Sequence, residues 1–294
     1  MSLRLEMLQV SRLAPSILGD AAGLVEELVR GAQLDDGGFP DRDGDSDLYY
    51  TSFAIDTLTA LQAELPEDRL IPYLKQFGDG EHLDFVHRCC LARCWSAVSS
   101  AKPDNATRDR ILERIEAFRT PEGGYDQKPN SNHGSAYGCL LAYGAYADHR
   151  REPPNPLGIL TCLDALKCDG GGWVNDKIIP IGNGPATAAA VTVCRNFRHP
   201  LPPNTADFLL SLFHPQGGFL PFPDAPMPDL LSTAVTLHAL DGLQIPFGKI
   251  KEPCLDFVDS LWTAAGGFHG NWSDDDLDLE YTYYGLLALG HLAL

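Results

Sequence analysis

Histidine and tyrosine side chains recur at one position of this chain, three residues after an aspartate. The position holds Tyr50, His87 and Tyr281. An imidazole has its ordinary pKa near neutrality and transfers protons readily, whereas a phenol can hydrogen-bond a substrate oxygen. We therefore expect His87 and Tyr281 to be candidate catalytic residues and Tyr50 a substrate-binding residue. A hydrogen-bonded core residue is the alternative for His87.

Tyrosines cluster near the same aspartates. A set of them could line an apolar pocket that offers a few hydroxyl groups, which is typical of a small-molecule site. We expect about half of the set, with Tyr284 among them, to line such a pocket and the rest to pack between helices. The set is Tyr49, Tyr50, Tyr137, Tyr281, Tyr283 and Tyr284.

Two acidic loops have the composition of metal sites. Residues 41–47 alternate carboxylates as calcium loops do, but Ser52 stands where a bidentate glutamate would be needed. Residues 274–278 fit an Asp-Asp-x-x-Asp pattern, which binds magnesium and diphosphate when it lies within a helix. Here it lies in a loop. Mg²⁺ or Ca²⁺ at these loops stays open, but solvated loops that cap the next helix are favoured.

A repeated segment sets the elements that position these side chains. A Gly-Gly-aromatic triplet occurs five times, each time followed by a loop and an apolar helix. Three of the four intervals are about 50 residues and the fourth is nearly twice as long, which predicts one repeated supersecondary unit. The triplets are Gly37-Gly38-Phe39, Gly123-Gly124-Tyr125, Gly171-Gly172-Trp173, Gly217-Gly218-Phe219 and Gly266-Gly267-Phe268.

The repeats predict an all-α fold. A weakened repeat at Gly78-Asp79-Gly80 fills the long interval and gives six units. Each unit has an inner helix that starts at a polar cap, and second helices such as 20–31 and 107–118 lie between them. Because neither end of the repeat array is polar, we expect the first and last repeats to pack together in an α6–α6 toroid. The expected domain is 1–294, with repeats from about residue 20.

Composition narrows the function classes. The net charge of −18 disfavours a nucleic-acid partner or an anionic membrane. Eight cysteines without disulfide-scaffold spacing, together with the lack of a signal-peptide pattern, indicate reduced thiols in a cytoplasmic protein. No run of 18 apolar residues occurs, so we expect no membrane span.

The triplets and the segment 278–286 resemble the prenyltransferase and squalene-cyclase repeat family, most of all the β subunit of protein prenyltransferases (farnesyl, geranylgeranyl and Rab types). The segment parallels that family's Asp-x-x-His-Thr-x-Phe-Gly pattern, and the resemblance spans roughly 20–294. It implies a toroid with a central apolar cavity, an isoprenoid or other apolar ligand, and a helical-repeat α-subunit as partner. The Asp-x-Asp-Asp motif of class II cyclases does not occur in the chain.

The site residues that the resemblance implies are incomplete. The family's zinc-binding Asp-x-Cys and His correspond here to Asp229, Leu231 and Tyr281. Leucine and a neutral phenol are poor zinc ligands, so we expect no zinc and no other cofactor. Asp229 is a candidate catalytic residue, and an N-cap is its alternative role. The family's phosphate-binding histidine corresponds to Asn183, and a His-Gly pair with His133 lies one repeat earlier, so the resemblance implies both as candidate substrate-binding residues.

Three functions remain open. The first is a prenyltransferase β-like protein that is divergent or inactive as a CaaX-type transferase. The second is a zinc-independent enzyme that binds or modifies terpenoids, and the third is a non-enzymatic interaction module.

Overall fold

The computed structural model describes residues 2–294, and helices dominate that range. A two-stranded antiparallel hairpin, β1 (Phe39–Pro40) and β2 (Ser46–Asp47), precedes the first inner helix. The α-helices are α1 (Leu3–Ser11), α2 (Pro15–Leu18), α3 (Ala22–Gly31), α4 (Leu48–Ala60), α5 (Glu67–Lys75), α6 (Phe85–Ala97), α7 (Asn105–Glu116), α8 (Ala136–Asp148), α9 (Pro156–Ala165), α10 (Gly184–Asn196), α11 (Thr205–Ser211), α12 (Leu230–Gly242), α13 (Lys251–Ser260) and α14 (Leu279–Leu292).

Side-chain caps start the inner helices α4, α6, α8, α10, α12 and α14. Each cap accepts a hydrogen bond from the backbone N–H three residues further on, which satisfies a donor that has no partner inside the helix. The caps are Asp47, Asp84, Ser135, Asn183, Asp229 and Asp278. The predicted polar cap at the start of each inner helix is confirmed, and Asp229 is an N-cap.

The Gly-Gly-aromatic triplet is a turn that anchors an inner helix to an outer one. The first glycine has a φ of 95° at both Gly37 and Gly217, a conformation that L-residues avoid. A Cβ at Gly217 would lie 1.9 Å from the carbonyl oxygen of Pro253 in α13. The aromatic residue that follows, such as Phe219, is fully buried. The close packing of this turn between the inner and outer helices therefore explains why the triplet recurs.

The inner helices form a closed ring. Each contacts the next along the chain, and α14 returns to pack against α4. Across this closure, Arg42 in the β1–β2 hairpin pairs with Asp278. The predicted α6–α6 toroid of six helix pairs is confirmed.

Helix α1 covers one end of the ring, where the inner helices finish. It packs against α4, α8 and α14, which come from separate parts of the ring. Arg4 of α1 donates to Asp56 of α4 at 2.6 Å, and Arg93 of α6 pairs with the same carboxylate. Asp56 is fully buried. This cover lies outside the six predicted pairs.

The eight cysteines are free thiols, and seven of them are buried. Within residues 2–294 no helix has the length and apolar character needed to cross a membrane.

Candidate active site

The inner helices all begin at one end of the ring, which we call the cap end, and the side chains of their first turns are partly exposed there. The residue two positions after each cap is half-buried in all six repeats, whereas four of the six residues nine positions after a cap, among them Asp56 and His238, are buried. This gradient follows from α1, which covers only the far end. The six residues of the half-buried layer are Tyr49, Val86, Tyr137, Pro185, Leu231 and Glu280.

Glu280 is the one carboxylate of this layer. The Tyr49 hydroxyl donates to Oε1 of Glu280 at 2.6 Å across the α4–α14 contact. Burial raises the pKa of Glu280 to about 7; the bond from Tyr49 opposes the rise and the charge of Asp278 adds to it. Burial thus shifts the titration of this carboxyl group from the acidic range towards neutral pH. A carboxyl group poised in this way can donate or accept a proton.

Aromatic rings surround this carboxyl group. The Tyr49 ring centroid lies 4.9 Å from that of Phe53, and Phe53 lies 5.5 Å from Tyr284. Burial raises the pKa of Tyr49, Tyr137 and Tyr284 above the usual range, so their hydroxyls stay neutral at physiological pH. The faces of such rings attract positive charge. The lining thus suits an apolar molecule that develops a cation.

Arg42 occupies the rim of the cap end. It pairs with Asp274 at 2.9 Å, Asp276 at 3.3 Å and Asp278 at 2.7 Å, and it lies 5.6 Å from the Tyr281 ring centroid. The Asp-Asp-x-x-Asp segment thus lies in a loop and its carboxylates contact an arginine. Among residues 2–294 no group of three or more histidine, cysteine, aspartate and glutamate side chains is arranged to hold a metal ion.

His87 lies at the cap end between two carboxylates. Its Nε2 is 2.7 Å from Asp47 and its Nδ1 is 2.9 Å from Asp84. The hydrogen bond to Asp47 raises the pKa of His87 to about 9 against the lowering effect of burial. The imidazole is therefore charged at neutral pH and links the first turns of two repeats. Its catalytic role stays a prediction.

The other predicted residues fall into two groups. Tyr50, Tyr281 and Tyr284 lie near Glu280, and burial raises the pKa of Tyr50 to about 12. Asn183 caps α10 and borders a separate groove of about 410 Å³. His133 is exposed. The structure thus brings the three tyrosines together and places the two phosphate-site candidates in other repeats.

His133 lies in a loop, 3.3 Å from Glu122 and 3.2 Å from Lys177. The Asp229 carboxylate accepts hydrogen bonds from the Ser232 backbone and hydroxyl, and its charge helps to raise the pKa of both Glu280 and Tyr281, so it lies near them; its catalytic role stays a prediction. Burial raises the pKa of Asp229.

Sequence reasoning missed Glu280 and Arg42. Glu280 lies two residues after its cap, at the same position as Tyr49 after Asp47, so the register of the repeats contained the signal. The comparison with a family motif directed attention to Tyr281 instead. Arg42 carried no local signal, because its three partners lie more than 230 residues away.

The fold and its repeats agree with a known protein family. A family model described as the prenyltransferase alpha-alpha toroid domain matches residues 16–90 and 189–293, more than half of the chain. The chain belongs to this family. No individually curated protein sequence matches it significantly.

Solved structures share the whole fold at low identity. The type II terpene cyclase MstE from Scytonema, in its apo form, superposes with a TM-score of 0.65 and 10% identity, covering 97% of this chain and 98% of the cyclase. A variant of MstE in complex with geranylgeranyl dihydroxybenzoate, its substrate, gives a TM-score of 0.63 and 11% identity, covering 99% and 98%. At these identities the likeness concerns the fold.

Proposed function

We propose that this protein is a terpenoid-modifying enzyme in which Glu280 transfers a proton to or from an isoprenoid substrate. One observation carries the proposal: at the cap end of the toroid, a partly buried carboxyl group accepts a hydrogen bond from Tyr49 at 2.6 Å, and its burial raises its pKa to about 7. Perturbed carboxyl groups in recessed sites are typical of general acids and bases.

The geometry assigns the two oxygens of Glu280 different roles. Oε1 accepts the hydrogen bond from Tyr49, so the acidic proton resides on Oε2. Transfer of that proton to the substrate leaves a carboxylate, which Tyr49 stabilises, and a positive charge on the substrate. We propose that the faces of Tyr49 and Tyr284, which lie near Glu280, stabilise that charge. The same carboxylate can recover a proton from the cation, which balances the cycle as an isomerisation or a cyclisation.

The fold supports a substrate of this class. MstE was solved with geranylgeranyl dihydroxybenzoate as substrate, and a further MstE variant with merosterolic acid A as product. By analogy of architecture, we propose an isoprenoid chain that enters at the cap end of this protein.

A protein prenyltransferase is less well supported. Leu231 and Tyr281 occupy the positions at which the resembling family binds zinc, and neither side chain supplies a suitable ligand. That function would also require the α-subunit. We propose a reaction that needs neither zinc nor this partner, carried out in the cytoplasm.

The proposal is tested by measuring whether a proton from the solvent is incorporated into the product. We would incubate the protein with geranylgeranyl-bearing substrates in D₂O and detect deuterium in the product by mass spectrometry. Wild type should incorporate deuterium. Glu280→Gln should lower turnover by about 10²–10⁴-fold, the usual range for removal of a general acid. Glu113→Gln, on the exposed face of α7, is the matched control and should be unaffected.

Two results would contradict the proposal. Turnover by Glu280→Gln within a few fold of wild type would remove Glu280 from the reaction. Absence of isoprenoid binding by wild type would favour a non-enzymatic toroid.

A further inference from the structure

A large cavity opens at the end of the ring opposite the caps. It measures about 1080 Å³ and lies between α1, the loop that joins α6 to α7, and the segment after α8. Five of its lining side chains are lysine or arginine and two are acidic. We call it the basic cavity; these charged residues are Arg4, Lys102, Arg108, Arg150, Arg151, Asp148 and Glu152.

The charge of the basic cavity is opposite to that of the protein. The chain has 22 basic and 40 acidic side chains and a net charge of −18. Within residues 2–294 no carboxylate lies at ion-pairing distance from Lys102, Arg108 or Arg150. Arg151 does pair, with Asp109 at 3.1 Å. Because Lys102, Arg108 and Arg150 are unpaired within the described residues and lie in one cavity, they make that cavity electropositive within a strongly acidic protein.

Several of the positive charges in the basic cavity act on the same lining residue. Burial lowers the pKa of His149, a further lining residue, and nearby positive charges add to this lowering. Those charges belong to Lys102, Arg108 and Arg151. Three side chains separated in sequence therefore direct their fields at the same part of the cavity.

Two buried donors in the lining have no acceptor within the described chain. Nε1 of Trp95 and Nε of Arg108 are both without a hydrogen-bond partner, and Trp95 is only 3% exposed. A buried donor without an acceptor costs free energy, and native proteins rarely leave one in that state. An anionic ligand would supply the missing acceptors.

The opposite wall of the basic cavity is apolar. Leu157 is 74% exposed, which is unusual for leucine, and Leu160 lies one turn further along α9. The Phe197 ring packs at 4.7 Å from Tyr143 and completes this wall. The cavity therefore joins a basic surface to an apolar one.

We propose that the basic cavity binds an organic phosphate with an apolar body. Arg108, Lys102 and Arg150 bind the phosphate, and the apolar part packs against Leu157 and Phe197. Guanidinium and ammonium groups are the usual donors to phosphate oxygens, and the volume suits a ligand of drug-like size. This site lies at the far end of the ring from Glu280 and goes beyond the proposed function.

Calorimetry with simple probes tests the site. We would titrate n-octyl phosphate, inorganic phosphate and 1-octanol into the full chain at low and high salt. Octyl phosphate should bind more tightly than inorganic phosphate, octanol should give no saturable signal, and affinity should fall as salt rises. Arg108→Gln should weaken octyl phosphate binding by about tenfold or more.

Arg110→Gln is the matched control. Arg110 lies on the same helix α7 but pairs with Asp79 outside the cavity, and its loss should change binding less than twofold. Lys102→Gln, at an exposed position, repeats the test if Arg108→Gln loses its helical circular dichroism. Glu280→Gln should leave binding unchanged, which keeps this test separate from that of the proposed function.

Three results would overturn the proposal. The first is no saturable binding of octyl phosphate, and the second is an equal loss for Arg108→Gln and Arg110→Gln. The third is binding to phosphatidylserine vesicles but not to octyl phosphate, which would make this face a membrane-contacting surface.

Discussion

Replacement of Asp56 by asparagine tests whether the cover formed by α1 depends on a buried charge. Asp56 is 0% exposed, and its two partners Arg4 and Arg93 have side chains that are 8% and 23% exposed. Asparagine keeps the shape of the side chain but removes the charge that pairs directly with both guanidinium groups. The substitution therefore leaves two poorly hydrated cations close together.

The expected loss is large. Removing one partner of a buried ion pair typically costs about 3–5 kcal/mol, because the remaining charge stays desolvated and uncompensated. For a chain of this size that corresponds to a fall in Tm of about 6–10 °C, taking about 2 °C per kcal/mol. The loss should start at α1, since Arg4 holds that helix to the ring.

Urea unfolding and hydrogen exchange would measure the effect. The control is Glu26→Gln, which breaks an exposed pair with Arg30 within one helix and should cost less than about 0.5 kcal/mol. Amides of α1 should exchange faster in Asp56→Asn while those of α12 stay protected. A change in unfolding free energy below about 1 kcal/mol, or no faster exchange in α1, would refute the reasoning.

Three further predictions concern stability. Gly217→Ala should cost about 3 kcal/mol or more in urea unfolding, because a Cβ would meet the Pro253 carbonyl at 1.9 Å with a φ of 95°; an unchanged midpoint would contradict this. The pKa of His87 is raised to about 9, so its stabilisation is complete below pH 6.5 and is lost as pH rises towards 9. Wild type should lose about 1–2 kcal/mol over that range, discounted because the side chain is 30% exposed, and His87→Gln should not. Burial lowers the pKa of His238, so this residue should act in the opposite sense and destabilise the protein as pH falls below 6.5; an equal acid loss in His238→Gln would argue against this.

The ring could be predicted from the sequence because its determinants are local. A capping side chain such as Asp47 and a glycine with positive φ such as Gly37 act within a few residues of their position. Because the caps and glycines recur in each repeat, the period can be recognised despite the weakened copy at Gly78. Local signals that recur can be read without knowledge of tertiary contacts.

The cover and the basic cavity could not be predicted, because their partners are distant in sequence. Arg4 meets a carboxylate 52 residues away, and Glu6 of the same helix meets Arg195 across 189 residues. In the sequence, Arg4 and Glu6 interrupt an apolar segment, and such charges suggest that the segment is exposed to solvent. In the structure they are the contacts that fix α1. The cations of the basic cavity are similarly dispersed and are masked by the acidic total.

Ring closure also has a consequence for folding kinetics. The bond between Tyr49 and Glu280 joins residues 231 positions apart, and the pairing of Arg42 with Asp278 spans 236. Such contacts raise the contact order, and the chain must pay the entropy of a very long loop before they form. During synthesis, the apolar edges of the earlier repeats stay uncovered until α14 has been made. The seam between α4 and α14 should therefore form last, and during synthesis it is the part of the molecule most in need of a chaperone.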